Sequence, residues 1–406
     1  MFSGRNQEPQ TPAGSGQAYR VIAGFGIVSL LADFTYEGAR SLVGPYLASL
    51  GAGAAAVATV AGAGEFAGQG LRFLFGRLAD RTGAYWFLTI FGYSVNLLAV
   101  PLLALAGRWE TAAALVILER LGKALRTPAR DALLSRATAQ VGHGKGFGIH
   151  EALDQIGAVT GPLFLSAVVA WRGDARLGFA LLGLPAVLAL GTLELLRRRH
   201  GSSRSTEQRN ITPAAGPSAR RLPPDFWWTA AGGACLAAGF ADFALIAYHA
   251  QGHELLPLAW IPLFYAGLMA ADGFAALLLG RWFDAHPRSA LAATGLAAIA
   301  APALLFSGGF WGLWFGGLAW ALSLGGQESL FKARVATLVS PGQRATAFGI
   351  FQSLYGGAWF GGSILLGLLY AGHPVLFLAF ATATSLGGTL LLLRSGTAGK
   401  PGASPS

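Results

Sequence analysis

This sequence has little charge, almost no cysteine and no alternating polar pattern. Only 12% of its 406 residues are charged and only 19 are acidic, whereas a soluble domain carries about 25% charged residues. A water-soluble fold of this length needs far more polar surface, so a soluble enzyme is excluded. A disordered chain is excluded as well, because 53% of the residues are hydrophobic and disorder requires low hydrophobicity. Cys235 stands alone, which rules out an intramolecular disulfide, a secreted disulfide scaffold and a cysteine-based metal site. The strict alternation of a transmembrane β-barrel strand is missing from continuous apolar runs such as 180–193 and 382–393. No Gly-Lys-Ser/Thr loop is present, so ATP-driven pumping has no sequence support. The polar, Gly/Pro/Gln-rich residues 1–18 lack a basic region followed by an apolar core and do not read as a cleaved signal peptide.

Long apolar runs are what the sequence does contain, and mean hydropathy is +0.51. A bilayer core of roughly 30 Å takes about 20 helical residues to cross. Runs of that kind fall at 20–49, 53–75, 85–107, 110–128, 146–171 and 176–196, then at 226–250, 257–280, 289–308, 310–333, 345–371 and 373–394. The expected fold is an all-α membrane protein of twelve spans. Its predicted organisation is a tail (1–19), a six-helix bundle (20–196), a basic linker (197–225), a second six-helix bundle (226–394) and a C-terminal tail (395–406).

The net charge of +10 comes from 29 basic residues, seven of them between 197 and 221. Their position between apolar runs points to a cytoplasmic loop rather than a nucleic-acid surface, and no nucleic-acid partner is expected. With both termini inside, Arg77, Arg81, Arg130, Arg136, Lys145, Arg281, Arg288 and Arg344 join that loop on the cytoplasmic side, against Arg108, Arg172 and Arg176 outside. This bias predicts cytoplasmic termini in a cell membrane.

The halves repeat one another. Ala32-Asp33-Phe34 recurs as Ala241-Asp242-Phe243, and Gly76-Arg77-x-x-Asp80 as Gly280-Arg281-x-x-Asp284. Ala129-Arg130 and Leu134-Ser135 recur as Ala333-Arg334 and Val339-Ser340, and Phe147-Gly148-Ile149 as Phe348-Gly349-Ile350. Four matches in one order at nearly constant spacing indicate a duplicated six-helix unit.

After the second run stands Gly76-Arg77-Leu78-Ala79-Asp80-Arg81-Thr82-Gly83. This stretch resembles the Gly-x-Leu-Ala-Asp-Arg-x-Gly signature of the major facilitator superfamily, and the twelve runs and the degenerate copy at Gly280–Asp284 agree with it. The resemblance covers about 20–394. It implies two pseudo-symmetric six-helix bundles around a cavity that opens alternately to either side, with Gly76, Asp80, Arg81, Gly83, Arg130, Gly280 and Asp284 as conformational gate residues. Glycine permits a tight turn and close helix approach. Asp80 is suited to accept from a helix N-terminus across the bundle interface, with Arg81 or Arg130 as candidates for its ion pair; a generic basic turn is the plainer alternative. Gly157-x-x-x-Gly161-Pro162 is similar to the helix-five motif of proton-coupled drug antiporters. Leu165 and Ser166 replace its last two glycines, and small residues at this spacing also serve plain helix packing.

Charge inside an apolar run costs at least roughly 2.5–3.5 kcal/mol at a helix centre. Asp33, Glu37 and Arg40 share one helical face in the first run, and Glu65, Gln69 and Arg72 repeat the spacing in the second. The fourth run holds Glu119, Arg120 and Lys123, with Arg126 a turn further on; the fifth holds Glu151 and Asp154, and Glu328 stands in the tenth. These are the candidates for substrate binding or proton coupling, with Glu119 foremost because it sits midway along its run. Glu37–Arg40, Glu65–Arg72 and Glu119–Lys123 are equally readable as self-neutralising pairs. The second half is poorer in charge, which assigns it more of the apolar cavity wall. His249 and His253 share a helical face, but two ligands do not make a metal site. The expected protein is a monomeric secondary transporter, proton-coupled and exporting by antiport, or else a uniporter or small-anion symporter. A non-transporting sensor is the remaining alternative. No enzyme activity, metal or cofactor is expected.

Overall fold

A computed structural model describes residues 15–138, 141–200, 222–340 and 343–395. Among them there is no strand, and fifteen α-helical segments line up as twelve spans. Span one is α1 (Ser15–Ser49). Span two is α2 (Ala54–Glu65), a π-helical turn (Phe66–Gly70) and α3 (Arg72–Thr82). Span three is α4 (Tyr85–Leu102) with a 3₁₀ turn, span four α5 (Trp109–Thr138), and span five α6 (His143–Arg172). Span six joins α7 (Ala175–Leu181) to α8 (Gly183–His200). The second half follows with α9 (Pro224–Gly239) and α10 (Phe243–Gly252) as span seven, then α11 (Trp260–Ala285), α12 (Pro287–Ser307), α13 (Gly309–Leu338), α14 (Arg344–Gly372) and α15 (Pro374–Arg394).

Local chemistry sets several of these limits. Proline opens α9, α12 and α15, where its missing N–H would have had no helical partner. Gly83 ends α3 at φ 65°, a left-handed cap that side chains disfavour. Asp242 begins α10 by accepting from Ala244 N–H at 3.0 Å, the side-chain cap that restarts span seven after its break.

Among the described residues, nine helices are long and apolar enough to cross a bilayer by length and composition. The second, fourth and tenth spans are not among them. The first two carry intramembrane charge, and the tenth is rich in glycine and tryptophan. Each of these three spans also lines the central cavity, where a helix side turned from lipid has no need to be uniformly apolar.

The packing is pseudo-two-fold. Span one packs on five and six, and its counterpart seven on eleven and twelve; three packs on four, and nine on ten. Between halves, span two meets eleven and span five meets eight, while one meets seven. Exchange of the halves maps each of these contacts onto another or onto itself. Twelve spans put both ends of the chain on one face, called here the terminal face.

Several limits differ from those expected. The fourth run, expected to end at 128, continues as helix to Thr138, and the Gly76–Thr82 stretch belongs to α3 rather than to a loop. Hydropathy falls where a helix leaves the apolar layer, but the helix itself continues. Of the linker expected at 197–225, the first residues extend α8 to His200; 201–221 lie outside the described residues, as do 1–14 and 396–406 in the two tails.

Candidate functional site: a charged cavity between the bundles

A cavity of about 370 Å³ lies between the halves. Spans one, two, four and five give it a charged wall: Asp33, Glu37, Arg40, Glu65, Arg72, Arg120, Lys123, Arg126, Arg130, Glu151 and Asp154. Spans eight, ten and eleven give an aromatic wall, built chiefly from Tyr265, Trp320, Phe331, Tyr355 and Trp359 with Asp272, Glu328 and Lys332 among them. The first half thus supplies most of the charge and the second most of the aromatic surface, with three charged groups of its own.

At the end remote from the terminal face, one guanidinium holds the bundles together. Arg40 Nη2 donates to Glu65 at 2.8 Å within its own bundle and to Asp242 at 3.1 Å in the other, and Glu37 Oε1 is 3.9 Å from its Nη1. Tyr265 Oη makes a second cross-bundle bond, donating to Glu37 at 2.5 Å. Arg120 extends the network to Glu65 at 3.7 Å and Glu119 at 3.1 Å, and Lys123 lies 3.9 Å from Glu37. These groups are buried or nearly so, and ion pairs are screened little in such a place. Toward the terminal face, Glu151, Glu328 and Lys332 are exposed. The cavity is therefore shut at the Arg40 end and open toward the terminal face.

The same polarity appears in the backbone. A Cβ on Gly44 would lie 2.0 Å from Ala244 O, so α1 and α10 touch main chain to main chain beside the Arg40 cluster. Span five joins span eight through Gln155 Nε2, which donates to Met269 O at 2.7 Å, and through Ser166 Oγ, which donates to Ala259 O at 2.7 Å.

Two expected pairs are not formed. Glu65 does not pair with Arg72: it binds Arg40 and Arg120, while Arg72 Nε donates to Gly68 O at 2.7 Å. The π-turn between them shifts the helical register, and Arg72 turns back onto its own helix. Glu119 does not pair with Lys123 and does not line the cavity. Asn96 Nδ2 donates to its Oε1 at 2.6 Å and Arg120 Nε lies 3.1 Å from its Oε2, so the carboxylate is drawn toward span three. Lys123 instead sits 4.0 Å over the Tyr36 ring. The pair Glu37–Arg40 is formed, at the long distance given above.

On the terminal face, Asp80 takes neither expected ion-pair partner. It accepts from Tyr85 Oη at 3.0 Å, inside its own bundle, while Arg130 binds Asp131 at 2.8 Å and donates to Ser29 at 3.0 Å. Arg81 is exposed. Gly83 provides the turn, but Gly76 is not needed for close approach, since its Cβ would meet Pro128 at an ordinary 3.6 Å. In the repeat, Gly280 has nothing within 4 Å of its Cβ position, and Asp284 is exposed near the end of α11. Tyr85→Phe should free Asp80 for an acceptor role across the interface. The expected result is a larger fraction of protein closed at the terminal face, read as slower labelling of a cavity cysteine from that side; unchanged labelling would show the Tyr85 bond to be incidental.

Gly157 and Gly161 seat span five directly on span one: a Cβ would fall 2.3 Å from Leu30 O and 2.1 Å from Phe34 O. Pro162 lies within the same helix. His249 is held by Tyr370 Oη at 2.7 Å, with the His253 ring 4.2 Å away. Among the described residues no cluster of three or more metal-ligating side chains occurs.

Tyr265 and Gln155 enter the site although nothing in the sequence pointed to them, and Asp242, Asp272 and Arg126, intramembrane charges by sequence, join them there. Asp242 carried a signal, as the repeat of Asp33. Arg126 did too, lying on the same stripe as Lys123 and Arg130. Asp272 carried one as a charge inside an apolar run, whereas Tyr265 and Gln155 carried none, since only the packing of helices brings them to the cavity.

The sequence profile of the Major Facilitator Superfamily matches residues 25–271. The chain belongs to this superfamily. An uncharacterised protein of Mycobacterium tuberculosis is 42% identical over 357 residues, 87% of each chain. An uncharacterised transporter of the same superfamily type from Methanocaldococcus jannaschii is 33% identical over 136 residues, 34% of each chain. Among solved structures, the nucleoside transporter NupG superposes with a TM-score of 0.73 at 12% identity, over 91% of this chain and 99% of that one. A POT family transporter in complex with 5-aminolevulinic acid gives 0.72 at 15%, over 93% and 96%. A bacterial homologue of the lysosomal transporter Spinster gives 0.67 at 15%, over 93% and 95%. At such identities the likeness shows the fold. Family and fold together place the protein among multi-pass membrane transporters with a small-molecule substrate.

Proposed function

We propose that this superfamily member is a proton-coupled secondary transporter of a small polar or amphipathic solute, working by alternating access of the central cavity. The observation that carries the reading is the Arg40 cluster, in which one buried guanidinium is shared by Glu65 of its own bundle and Asp242 of the other. Any rocking that opened this end would break Arg40–Asp242 and Tyr265–Glu37 together. The carboxylates released would need a new counter-charge in a poorly screened site, and a proton or the solute supplies one. Protonation and opening are thereby linked, and the linkage acts in both directions.

Asp33 and Asp154 join the seam carboxylates Glu37 and Asp242 as the coupling groups in this reading. Both line the cavity, where Asp33 accepts from Tyr36 at 2.6 Å and Asp154 Oδ2 lies 3.5 Å from His150 Nδ1. Glu119, away from the cavity, supports Arg120 and Asn96. The terminal face is cytoplasmic on the positive-inside bias, the bundles are 20–196 and 226–394 with a cytoplasmic linker between, and the monomer works in the cell membrane. The segment Gly76–Gly83 gates that face. Outward transport by antiport rests on the helix-five pattern Gly157-x-x-x-Gly161-Pro162.

A solute screen in proteoliposomes, with and without an imposed pH gradient, tests the reading. Flux of at least one solute should rise with the gradient and lose that dependence in Asp33→Asn. Flux indifferent to the gradient removes proton coupling, and binding without flux points to a sensor. Glu119→Gln should keep the gradient dependence but lower the melting temperature, because an unsatisfied buried partner costs about 1–3 kcal/mol. Loss of gradient dependence with full stability in that variant would return the coupling role to Glu119.

A further inference from the structure

Arg126 is 1% exposed, the largest fully buried side chain among the described residues, and it lines the cavity. Its guanidinium carbon sits 4.1 Å over the Tyr93 ring and 5.7 Å from that of Tyr36. Nε and Nη1 have no hydrogen-bond partner, and no carboxylate lies within 4.0 Å among the described residues. The other lining arginines differ. Arg40, Arg120 and Arg130 pair with carboxylates, and Arg72 donates to a carbonyl. A buried cation without a partner is costly, and the stack on Tyr93 already fixes its plane. Nε and Nη1 are themselves buried, and a guanidinium so held keeps N–H groups unmet that an oxyanion in the cavity would satisfy.

The facing wall carries the complementary vacancy in charge. Asp272 is 7% exposed, its Oδ1 has no partner, and no basic group lies within salt-bridge distance of it among the described residues. The aromatic faces of Trp320, Tyr355 and Trp359 line the same wall, and such faces favour an ammonium group as well. A space of about 370 Å³ is at the small end for an organic ligand.

We infer that the cavity takes a small amino-acid-like zwitterion, its carboxylate on Arg126 and its ammonium at Asp272. The inference rests on the transport reading for the use of the cavity and adds the solute's charge pattern. Neither group alone suffices: a simple anion leaves Asp272 unmet, and a simple cation leaves Arg126 unmet.

Thermal stabilisation of the detergent-purified full chain tests this with defined probes. These are glycine, β-alanine, γ-aminobutyrate, leucine and alanyl-alanine, each beside the amine and the acid that lack one of its charges. At least one zwitterion should stabilise at a concentration about tenfold below both single-charge counterparts, since specificity is a difference of affinities. Arg126→Lys keeps the charge but loses the fork, and should weaken the zwitterion by about tenfold. Asp272→Asn should bring the acid lacking an amine level with the zwitterion, which keeps the test decisive if Arg126→Lys fails to fold. No zwitterion preference in the wild type, or a preference untouched by Asp272→Asn, overturns the inference. Gradient-driven flux of a non-zwitterion would leave the transport reading standing while the inference falls. Zwitterion binding that obeys both variants, without flux of any probe, would do the reverse.

Discussion

Arg40→Met is expected to abolish solute flux and to destabilise the protein by about 3–5 kcal/mol, the usual cost of removing one partner from a buried ion pair. The size follows from geometry: three carboxylates, Glu37, Glu65 and Asp242, lie within 3.9 Å of that guanidinium. Without it they repel one another across the seam, relieved only by Arg120, Lys123 and Tyr265. Arg40→Lys retains a charge, but an ammonium cannot offer the planar fork that reaches Glu65 and Asp242 together, so an intermediate loss is expected. Adding Glu65→Gln to Arg40→Met should recover part of the stability and none of the flux. Thermal unfolding in detergent and proteoliposome uptake read the two effects separately. A stable, fully active Arg40→Met protein would show the cluster to be a bystander.

Gly44→Val acts on the same seam through sterics. Its Cβ would sit 2.0 Å from Ala244 O, nearer than atoms can approach, so α1 and α10 must separate. The bundles are then held apart at the end that is closed in this structure. Over this range a shift in population requires only a few kcal/mol, which one clash of this kind supplies. In a Cys235→Ala background with a single cysteine at Gln69, labelling by an impermeant reagent from the side opposite the termini should rise by about tenfold or more, and uptake should fall in parallel. Labelling and uptake both at wild-type levels would mean that the close contact has no part in closure.

The seam also shows how far a sequence can be read. The twelve spans, the duplication and the charged character of the first bundle were legible, because each is carried by local composition or by spacing along one helix. Asp33, Glu37 and Arg40 were found in this way, and all three line the cavity. Local spacing failed at Glu65 and Arg72, where a π-turn changed the register without any proline to mark it. It failed again at Glu119, since a mid-helix position says nothing about which side a residue faces, and Asn96 on another span turns it from the cavity. Tyr265 and Gln155 depend on contacts between helices more than a hundred residues apart. The sequence of Arg126 showed a cation on the right stripe, but its want of a partner is a property of the assembled bundle.

Motion of the two bundles about the cavity is the central claim, and it can be measured without a known solute. Spin labels on cysteines replacing Arg108 and Ser307 report the separation of the bundles on one face, and labels replacing Thr82 and Ser289 report it on the terminal face; all four positions are exposed. With Cys235→Ala as background, distance distributions in nanodiscs would be recorded from pH 8 to pH 5. Lowering the pH should protonate the coupling carboxylates, lengthen the first distance and shorten the second together, and Asp33→Asn should remove that response. Distances that stay fixed across the range, or that change in the same direction on both faces, would contradict proton-linked alternating access.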